Sequence, residues 1–368
     1  MNKYIFILGF VGTAFLSACS SDDLTIVPSP DEEEAIVVEA GKDSDVPITL
    51  GVGMGRAITR TPLNPVDVDG KFNTPDGQYF GVFCLAIGKQ AGAPNITAIP
   101  ATDADIKWSP AYSTIYPYAN WMDNIPAKVT SDGTTSNVTF LEKVYYYPFG
   151  NWYHYNFFAY YPWQSSGVTT IAKACFVDFT IDGKKDIIWG KTLGDGVFSA
   201  KYMREHPTTV PEFEFEHQLT QLVFHIKPRE TDKTEFSAEG YKLTEVKLKK
   251  VHKYLQLCVA SKPEDSHTPG TLSTAGSLSE MKVWKTDDSD PFSGGAEISV
   301  VPSPPSDETL ICYAMVHPSD ISNIQVYVKM EQTIGGTEVI EKNISLPSPV
   351  GGFLKGRKYK VDIELKKD

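Results

Sequence analysis

The sequence predicts a chain that folds almost entirely as β-sheet, and three observations predict this class. Apolar and polar residues alternate with a period of two in several runs, a pattern typical of strands that have one face on a core. No run of comparable length has the period of a helix. Pro and Gly cluster between the runs, as they do between the strands of β-sandwiches. We therefore expect an all-β architecture of packed sheets.

The clearest alternating run lies near the C-terminal end. Over residues 358–366, charged side chains alternate with Tyr, Val, Ile and Leu. Residues 324–330 and 245–249 repeat the pattern. We predict one strand at each of these three places, each with an apolar face toward a core.

A change of phase marks a joint in the chain. Apolar side chains fall on odd-numbered positions in residues 212–219 and on even-numbered positions in residues 222–226. Because a one-residue slip turns every side chain to the opposite face, we predict a bulge or corner near Thr220 and Gln221. The Pro-containing connector just before this joint is the predicted boundary between two β-sandwich domains. These domains are predicted to span residues 46–205 and 206–368.

The N-terminal end has the pattern of a lipoprotein export signal. Lys3 is followed by an apolar stretch over residues 4–15, and then by Leu-Ser-Ala-Cys ending at Cys19. The apolar stretch is too short to cross a hydrocarbon core of about 30 Å as a helix. We predict that residues 1–18 are a cleaved signal peptide and that Cys19 carries the lipid. Several acyl chains, such as palmitate, would hold the protein firmly, since each buried methylene contributes about 0.8 kcal/mol.

Residues 19–45 are predicted to form a lipidated acidic tether. The segment is rich in acidic residues and Pro, and residues 31–34 read Asp-Glu-Glu-Glu. Such a segment cannot bury enough apolar surface to fold alone, so we interpret it as a solvated tether and not as a metal-binding tail. The formal net charge of −12 also argues against a nucleic-acid partner, which would need a basic face.

The cysteines of the mature chain are expected to be buried thiols. Each lies in an apolar, strand-like run, where a thiol behaves as a small hydrophobe. Export permits disulfides, but the sequence does not give their connectivity. The four residues are Cys84, Cys175, Cys258 and Cys312.

The sequence carries no strong signature of catalysis. Residues 51–55 superficially suggest a phosphate-binding loop, but no helical pattern follows them. Common zinc, hydrolase and redox motifs are missing. The change of phase separates His217 from His225, so we expect ordinary hydrogen-bonded histidines, and residues 287–290 fit a solvated turn better than a calcium loop. We predict a protein that is not an enzyme and that uses no cofactor and no metal.

Residues 145–163 form a block rich in aromatic side chains, which leaves two interpretations. Such a block could be a platform for carbohydrate. However, aromatic residues fall on both alternating faces of residues 153–161, which fits a strand covered on both sides. We favour core packing, because aromatic side chains are the largest burial terms available to a sheet.

The first predicted strand has one apolar edge and one nearly bare edge. Its bare edge is mostly Gly, so the strand could lie in a groove through main-chain pairing and its four apolar side chains, with little contact needed on the second face. Arg56 and Arg60 follow in a predicted loop, where proteases cut. The plain alternative is an ordinary first strand with two surface arginines. The apolar edge consists of Ile48, Leu50, Val52 and Met54.

Taken in order, several short motifs resemble the fimbrillin family of pilus subunits over nearly the whole mature chain. Each motif is weak alone, but their order is moderately specific. They are the lipobox at Cys19, a first strand ending in Thr59-Arg60, and residues 79–83, 156–162, 186–189, 215–219 and 356–359.

The resemblance implies a fold and an assembly mechanism. It implies two tandem transthyretin-like Greek-key β-sandwich domains and export as an outer-membrane lipoprotein at the cell surface. It also implies cleavage after an arginine by a trypsin-like or gingipain-like protease, with Arg60 matching the family position best and Arg56 second. The first strand would then leave, and a strand from a neighbouring pilus subunit would fill its groove.

One departure from the family pattern bears on the position in a pilus. Stalk subunits resemble strand donors with a C-terminal extension, whereas only three residues follow Leu365 here. We therefore expect a tip or accessory subunit that contributes to adhesion, with a ligand that the sequence does not identify. The alternative is a monomeric glycan-binding outer-membrane lipoprotein of a polysaccharide-uptake system, with the aromatic block as its platform.

Overall fold

The computed structural model places strands along most of the chain that it describes. The elements are numbered in chain order. The described residues are 43–52, 78–89, 120–131, 136–148, 153–170, 174–194, 198–261, 266–285, 289–293, 295–297, 310–318 and 324–367. The first eleven strands are β1 (Asp43–Pro47), β2 (Gly51–Val52), β3 (Phe80–Lys89), β4 (Asn120–Ser131), β5 (Ser136–Phe140), β6 (Tyr146–Pro148), β7 (Tyr153–Tyr161), β8 (Val168–Thr170), β9 (Ala174–Thr180), β10 (Ile188–Thr192) and β11 (Glu212–His217). The other strands are β12 (Thr220–Pro228), β13 (Tyr241–Ser261), β14 (Thr271–Lys282), β15 (Ala296–Glu297), β16 (Leu310–Val316), β17 (Gln325–Gln332), β18 (Val339–Ser345) and β19 (Lys358–Leu365).

Two short helices accompany the strands in the described part of the chain. Helix α1 spans Ala200–Glu205 and helix α2 spans Lys233–Ala238. Ser199 caps α1, since its side chain accepts a hydrogen bond from the main-chain N–H of Tyr202. Among the described residues, no helix has the length and apolar character needed to cross a membrane. The all-β prediction is confirmed.

Seven of the strands form a sheet that closes on itself as a barrel. Their order around the barrel is β10, β11, β2, β5, β4, β3, β7. Inward-facing side chains from these strands, together with Met203 of α1 and Phe198 just before it, contribute to one apolar cluster, the barrel core. Outside the barrel, β1 pairs with β6 as a separate two-stranded ribbon.

The remaining large elements form a sandwich of two sheets. The larger sheet runs β18, β17, β13, β9, β8, with β14 and β15 also paired to β13. The smaller sheet runs β16, β12, β19, and its apolar faces join those of the larger sheet in a second cluster, the sandwich core. Strand β13 pairs with β17 through residues 241–249 and with β9 through residues 254–261, and between these parts Lys250, with φ of 64°, interrupts its pairing with β14 as a bulge.

Strands β3 and β7 belong to both cores, and we call this pair the wall. In β7, Phe157 and Tyr161 face the barrel core, whereas Phe158 and Tyr160 face the sandwich core. In β3, Cys84 faces the barrel core, whereas its neighbour Phe83 faces the sandwich core. Every side chain from residue 155 to residue 161 is buried. The prediction that the aromatic block is a strand covered on both faces is thus confirmed for these residues.

The predicted corner between the two phases of alternation is present. Strand β11 ends in the barrel at His217, and β12 begins in the sandwich at Thr220. His217 Nδ1 lies in hydrogen-bond contact with the Asp186 carboxylate, which also accepts from the main-chain N–H groups of Ile187 (2.8 Å) and Leu219 (3.2 Å). His217 is therefore a buried, hydrogen-bonded histidine that fixes the corner, as expected. His225 lies apart from it in β12, opposite Asp362.

The chain moves between barrel and sandwich more than once. Strands β8 and β9 precede residue 206, yet they lie in the sandwich, where β8 pairs with β9 and β9 pairs with β13. The chain then returns to the barrel with β10 and β11. The division into two tandem domains at residues 205 and 206 stays a prediction.

The four cysteines of the folded region are buried and form no disulfide with one another. Burial raises the pKa of the Cys84 thiol, and it raises the pKa of the Cys312 thiol to about 12. Both thiols therefore stay protonated at neutral pH and behave as small apolar side chains. The expectation of buried thiols is confirmed.

Candidate functional site

Residues 43–52, which we call the first segment, complete the barrel and precede its other strands in the sequence. Strand β2 of this segment lies between β5 and β11, a position that we call the slot. It runs parallel to β11, with Gly51 opposite Glu212, and antiparallel to β5, with Gly51 opposite Asn137. Without β2, β5 and β11 would be the two unpaired edges of an open sheet.

A few main-chain hydrogen bonds hold the segment in the slot. Gly51 N–H donates to the carbonyl oxygen of Pro211 at 2.9 Å. On the other side, Val138 N–H donates to the carbonyl oxygen of Leu50 at 2.9 Å. Further upstream, Ile48 N–H donates to the carbonyl oxygen of Tyr145 at 2.7 Å. The strand itself is only two residues long, so its hold on the barrel depends strongly on its side chains.

Two of those side chains are deeply buried. Ile48 is 4% exposed and Leu50 is fully buried, and both belong to the barrel core. Thr49 between them is exposed, and Val52 is half-buried against the same core. The alternation expected along this edge is therefore present from residue 48 to residue 52. Met54, the fourth apolar side chain, lies outside the described residues.

Gly51 allows the close approach of the strands on both sides of the slot. A Cβ atom at this position would lie 3.2 Å from Glu212 Cγ and 3.3 Å from Val210 Cγ1. Those distances are tighter than ordinary van der Waals contact, although both atoms belong to side chains that can shift. Of the bare edge predicted from the sequence, Gly51 thus lies against Val210 and Glu212, whereas Thr49 is exposed.

The start of the first segment is held mainly at the surface. Strand β1 pairs irregularly with β6, and Asp45 forms an ion pair with Arg204 of α1. The hydrogen bond from the Arg204 guanidinium holds the pKa of the Asp45 carboxyl below its usual value. Asp45 is exposed, so this pair contributes little to the free energy of unfolding.

Three further residues of the predicted assembly mechanism lie outside the described part of the chain. They are the lipidation site Cys19 and the two cleavage candidates Arg56 and Arg60. The described chain leaves the slot at Val52 and resumes at Gln78. Their roles stay predictions.

Outside the slot, the described residues form few candidate sites for a metal or a ligand. Among them, no group of three or more His, Cys, Asp or Glu side chains is placed to hold a metal ion. A surface cavity of about 350 Å³ beside β13 and β17 is lined by charges of both signs. Four of these charges already form two ion pairs, Lys282 with Asp290 at 3.0 Å and Lys329 with Glu331 at 2.5 Å. Asp290, at the end of the acidic turn, also accepts from the N–H of Phe292, which lowers its pKa.

The sequence pattern predicted the strand that lies in the slot but not the residues on either side of it. Nothing in the alternation identified Val210, Pro211 or Asn137 as neighbours of Gly51, because pairing between distant strands leaves no local pattern. The Phe213 and Phe215 alternation did predict that a strand lies at β11. The parallel direction of its pairing with β2 could not be derived from that signal.

The fold and the slot together define an all-β protein in which the first segment closes a barrel. Residues 76–368 match the family model described as fimbrillin-like, which is more than half of the chain. The chain therefore belongs to the fimbrillin-like family, and the resemblance inferred from the short motifs is confirmed. The first segment lies before the matched range.

Several solved structures are similar to this chain at low sequence identity. A proposed cell adhesion protein from Bacteroides uniformis is 15% identical, with a TM-score of 0.48, and the match covers 87% of this chain and 94% of the other. A fimbrial assembly protein from Parabacteroides distasonis is 11% identical, with a TM-score of 0.38 and coverage of 87% and 91%. The fimbrial anchor protein Mfa2 from Porphyromonas gingivalis is 9% identical, with a TM-score of 0.29 and coverage of 81% and 82%. No curated protein matches the chain. The family assignment rests on the family model alone.

Proposed function

We propose that this protein is a structural subunit of a cell-surface pilus and that loss of its first segment readies it for assembly. The observation that carries the proposal is the slot. A two-residue strand closes the barrel, while Ile48 and Leu50 beside it are buried in the core. A segment with deep side chains and little main-chain pairing is suited to replacement by another strand with the same pattern.

The energetics favour a replacement strand. Burial of each large apolar side chain contributes about 1.5 to 3 kcal/mol, so an empty slot exposes a costly apolar surface. Removal also leaves the Val138 N–H and the Pro211 carbonyl without the partners that they have in the closed barrel. A strand from a neighbouring subunit would restore both the burial of the apolar surface and these main-chain hydrogen bonds.

The steps before assembly are part of the proposal. The protein is exported as a lipoprotein and held on the outer membrane by lipid on Cys19. An arginine-specific protease then cuts after Arg60, or after Arg56, in the segment that follows the slot. The family membership and the position of both arginines just after β2 support this order.

We also propose a tip or accessory position. The C-terminal segment is tied into the body of the protein and is therefore poorly placed to be given to a neighbour. Arg229 N–H donates to the Leu365 carbonyl at 2.8 Å, and Lys367 N–H donates to Asp232 at 3.2 Å. The Lys367 ammonium also contacts Glu235 at 2.5 Å and Glu239 at 2.7 Å. Immunogold labelling should then mark pilus ends or sparse sites, and continuous labelling along the shaft would contradict this position.

Digestion with an arginine-specific protease tests the central step. Wild-type protein should be cut at Arg60 or Arg56, located by mass spectrometry, with the body still folded. A double variant, Arg56→Lys with Arg60→Lys, keeps the charge but should resist this protease and stay out of pili. If the double variant enters pili, or if cleavage unfolds the barrel, the proposal fails.

Refilling of the slot gives a second readout. The cut protein, separated from its fragment, should melt at a higher temperature when a peptide with the sequence of residues 45–54 is added. A matched peptide with Ile48→Asp and Leu50→Asp should have no such effect, because it offers the same main chain without apolar side chains. Equal effects of the two peptides would mean that the slot does not select buried side chains.

Lipidation is tested separately. Cys19→Ala should abolish labelling by a radioactive fatty acid and release the protein from the membrane. Persistent label on the variant would overturn this part of the proposal and leave the slot mechanism untouched.

A further inference from the structure

The outer edge of β19, in the smaller sandwich sheet, has no part in the proposed assembly mechanism. Within the described residues, β19 pairs only with β12, so its other edge carries no strand. The direction of its main-chain groups follows from two bonds. Gln221 N–H donates to the Arg357 carbonyl, and Arg229 N–H donates to the Leu365 carbonyl, so odd-numbered residues from 357 to 365 point their main-chain groups toward β12. The groups at the open edge therefore belong to the even-numbered residues.

Those even-numbered residues are all charged, and their order is not random. Along the edge the charges run positive, positive, negative, negative. Their side chains lie on the sheet face away from the sandwich core, since the odd-numbered side chains are the ones that pack on that core. The four residues are Lys358, Lys360, Asp362 and Glu364.

We propose that a second copy of this chain pairs with β19 along this edge, antiparallel and about a two-fold axis at Val361. In that register Lys358 lies opposite the partner's Glu364, and Lys360 lies opposite the partner's Asp362. All four charged positions of each strand then face an opposite charge. The register also makes every hydrogen-bonded pair an even-numbered pair, as the direction of the main-chain groups requires. The charge order thus selects this register among those that the main-chain direction permits.

The core-facing side of β19 points to the same partner. Ile363 and Leu365 are each 4% exposed, but Tyr359 and Val361 are only half-buried although they pack on the sandwich core. In the proposed register Val361 meets the Val361 of the second copy, and Tyr359 lies opposite its Ile363. Pairing would therefore cover the part of the apolar face that the monomer leaves open.

The opposite edge of the sandwich shows how this protein closes an edge to partners. In β18, Lys342 lies opposite Val328, whose side chain is in the core, so Lys342 is on the core-facing side, and it is exposed. An inward-pointing lysine prevents another strand from docking there, because docking would bury its charge. Strand β19 has no charged residue on its core-facing side. The β18 edge is thus guarded by Lys342, whereas the β19 edge is compatible with a partner strand.

Charge-reversal variants test the arrangement by sedimentation equilibrium of the mature chain, made with Cys19→Ala so that it carries no lipid. Wild type should self-associate in a concentration-dependent manner. The variant Lys358→Glu with Lys360→Glu has an all-acidic edge, and Asp362→Lys with Glu364→Lys has an all-basic edge. Each should associate with itself at least about tenfold more weakly than wild type, whereas an equimolar mixture of the two should form a heterodimer. Lys342→Glu on the guarded edge is the matched control and should associate like wild type.

A cysteine variant tests the register itself. Opposed residues of a non-hydrogen-bonded antiparallel pair have Cα atoms about 4.5 Å apart, within the range that a disulfide spans. Val361→Cys should therefore form a covalent dimer under mild oxidation. Tyr359→Cys is equally half-buried but lies two residues from the axis, so it should not. A monomeric wild type at all concentrations, a mixture that fails to associate, or equal cross-linking of the two cysteine variants would overturn the proposal.

Discussion

The wall and the first segment both supply side chains to the barrel core, yet they are attached to it very differently. Strand β7 of the wall is buried on both faces and pairs along most of its length with β3 and, through residues 158–161, with β10. In the first segment, Ile48 and Leu50 are buried on one face, but only the two residues of β2 pair with the barrel as a strand. Depth of burial and attachment of the main chain are thus separate properties. A side chain can be fully buried in a segment whose main chain makes few hydrogen bonds to the barrel.

The largest expected effect is on the wall. Phe157→Ala should lower the free energy of unfolding by about 3 to 5 kcal/mol, because it removes a fully buried ring that packs against Tyr147 and Phe198. Denaturant titration of intact protein and of protein cut after Arg60 should give the same loss. A melt unchanged by the substitution, with glycan binding lost instead, would favour the carbohydrate-platform interpretation.

Leu50→Ala should have a smaller effect, and only while the slot is filled by the first segment. We expect a loss of about 2 to 3 kcal/mol in intact protein, at the low end for a buried leucine because a short segment can readjust. After cleavage and removal of the fragment, variant and wild type are the same molecule and must unfold alike. A persistent difference would mean that the fragment had not left the slot.

Two glycines sharpen the comparison at the level of the main chain. A Cβ atom at Gly190 in β10 would lie 2.6 Å from the main-chain oxygen of Glu214, which cannot move without shifting β11. Gly190→Ala should therefore cost about 1 to 3 kcal/mol, the usual range for overpacking. The control is Gly51→Ala, whose tight contacts are with side-chain atoms only, the nearest main-chain oxygen lying at an ordinary 3.6 Å, and it should cost less than about 1 kcal/mol. Thermal melts of both variants check this order, and a larger loss of stability for Gly51→Ala than for Gly190→Ala would contradict it.

The smallest effect is expected at the outer end of the slot. Ile48→Val removes one methylene from the barrel core and should cost about 0.5 to 1.5 kcal/mol in intact protein. The same change in the refilling peptide should weaken its binding by a similar free energy, measured by titration calorimetry. A loss in the peptide with none in the intact protein would show that the two strands do not occupy the slot in the same way.

Local patterns predicted the elements well where one face of a strand meets one core. The runs at residues 324–330 and 358–366 lie in β17 and β19, and the corner near Thr220 separates β11 from β12. The aromatic block was also predicted as a two-sided strand, because aromatic residues on both faces leave only burial on both sides as a stable arrangement. In these cases the signal is contained in neighbouring residues.

Pairings between distant segments could not be predicted in the same way. The 21-residue strand β13 was seen only as residues 245–249, since its alternation is interrupted at Lys250. The pairing of β9 with β13 and the parallel pairing of β2 with β11 join segments far apart in the chain, so no local pattern predicts them. The candidate site was therefore predicted as a strand with four apolar side chains, but the residues that surround it were not.

The wall has a mechanical consequence for a fibre built from this protein. Because its side chains are shared between barrel and sandwich, one part cannot rotate against the other without exposing Phe83, Phe158 and Tyr160 to water. Each subunit would then behave as a stiff link, and a fibre would bend at its joints between subunits and not within them.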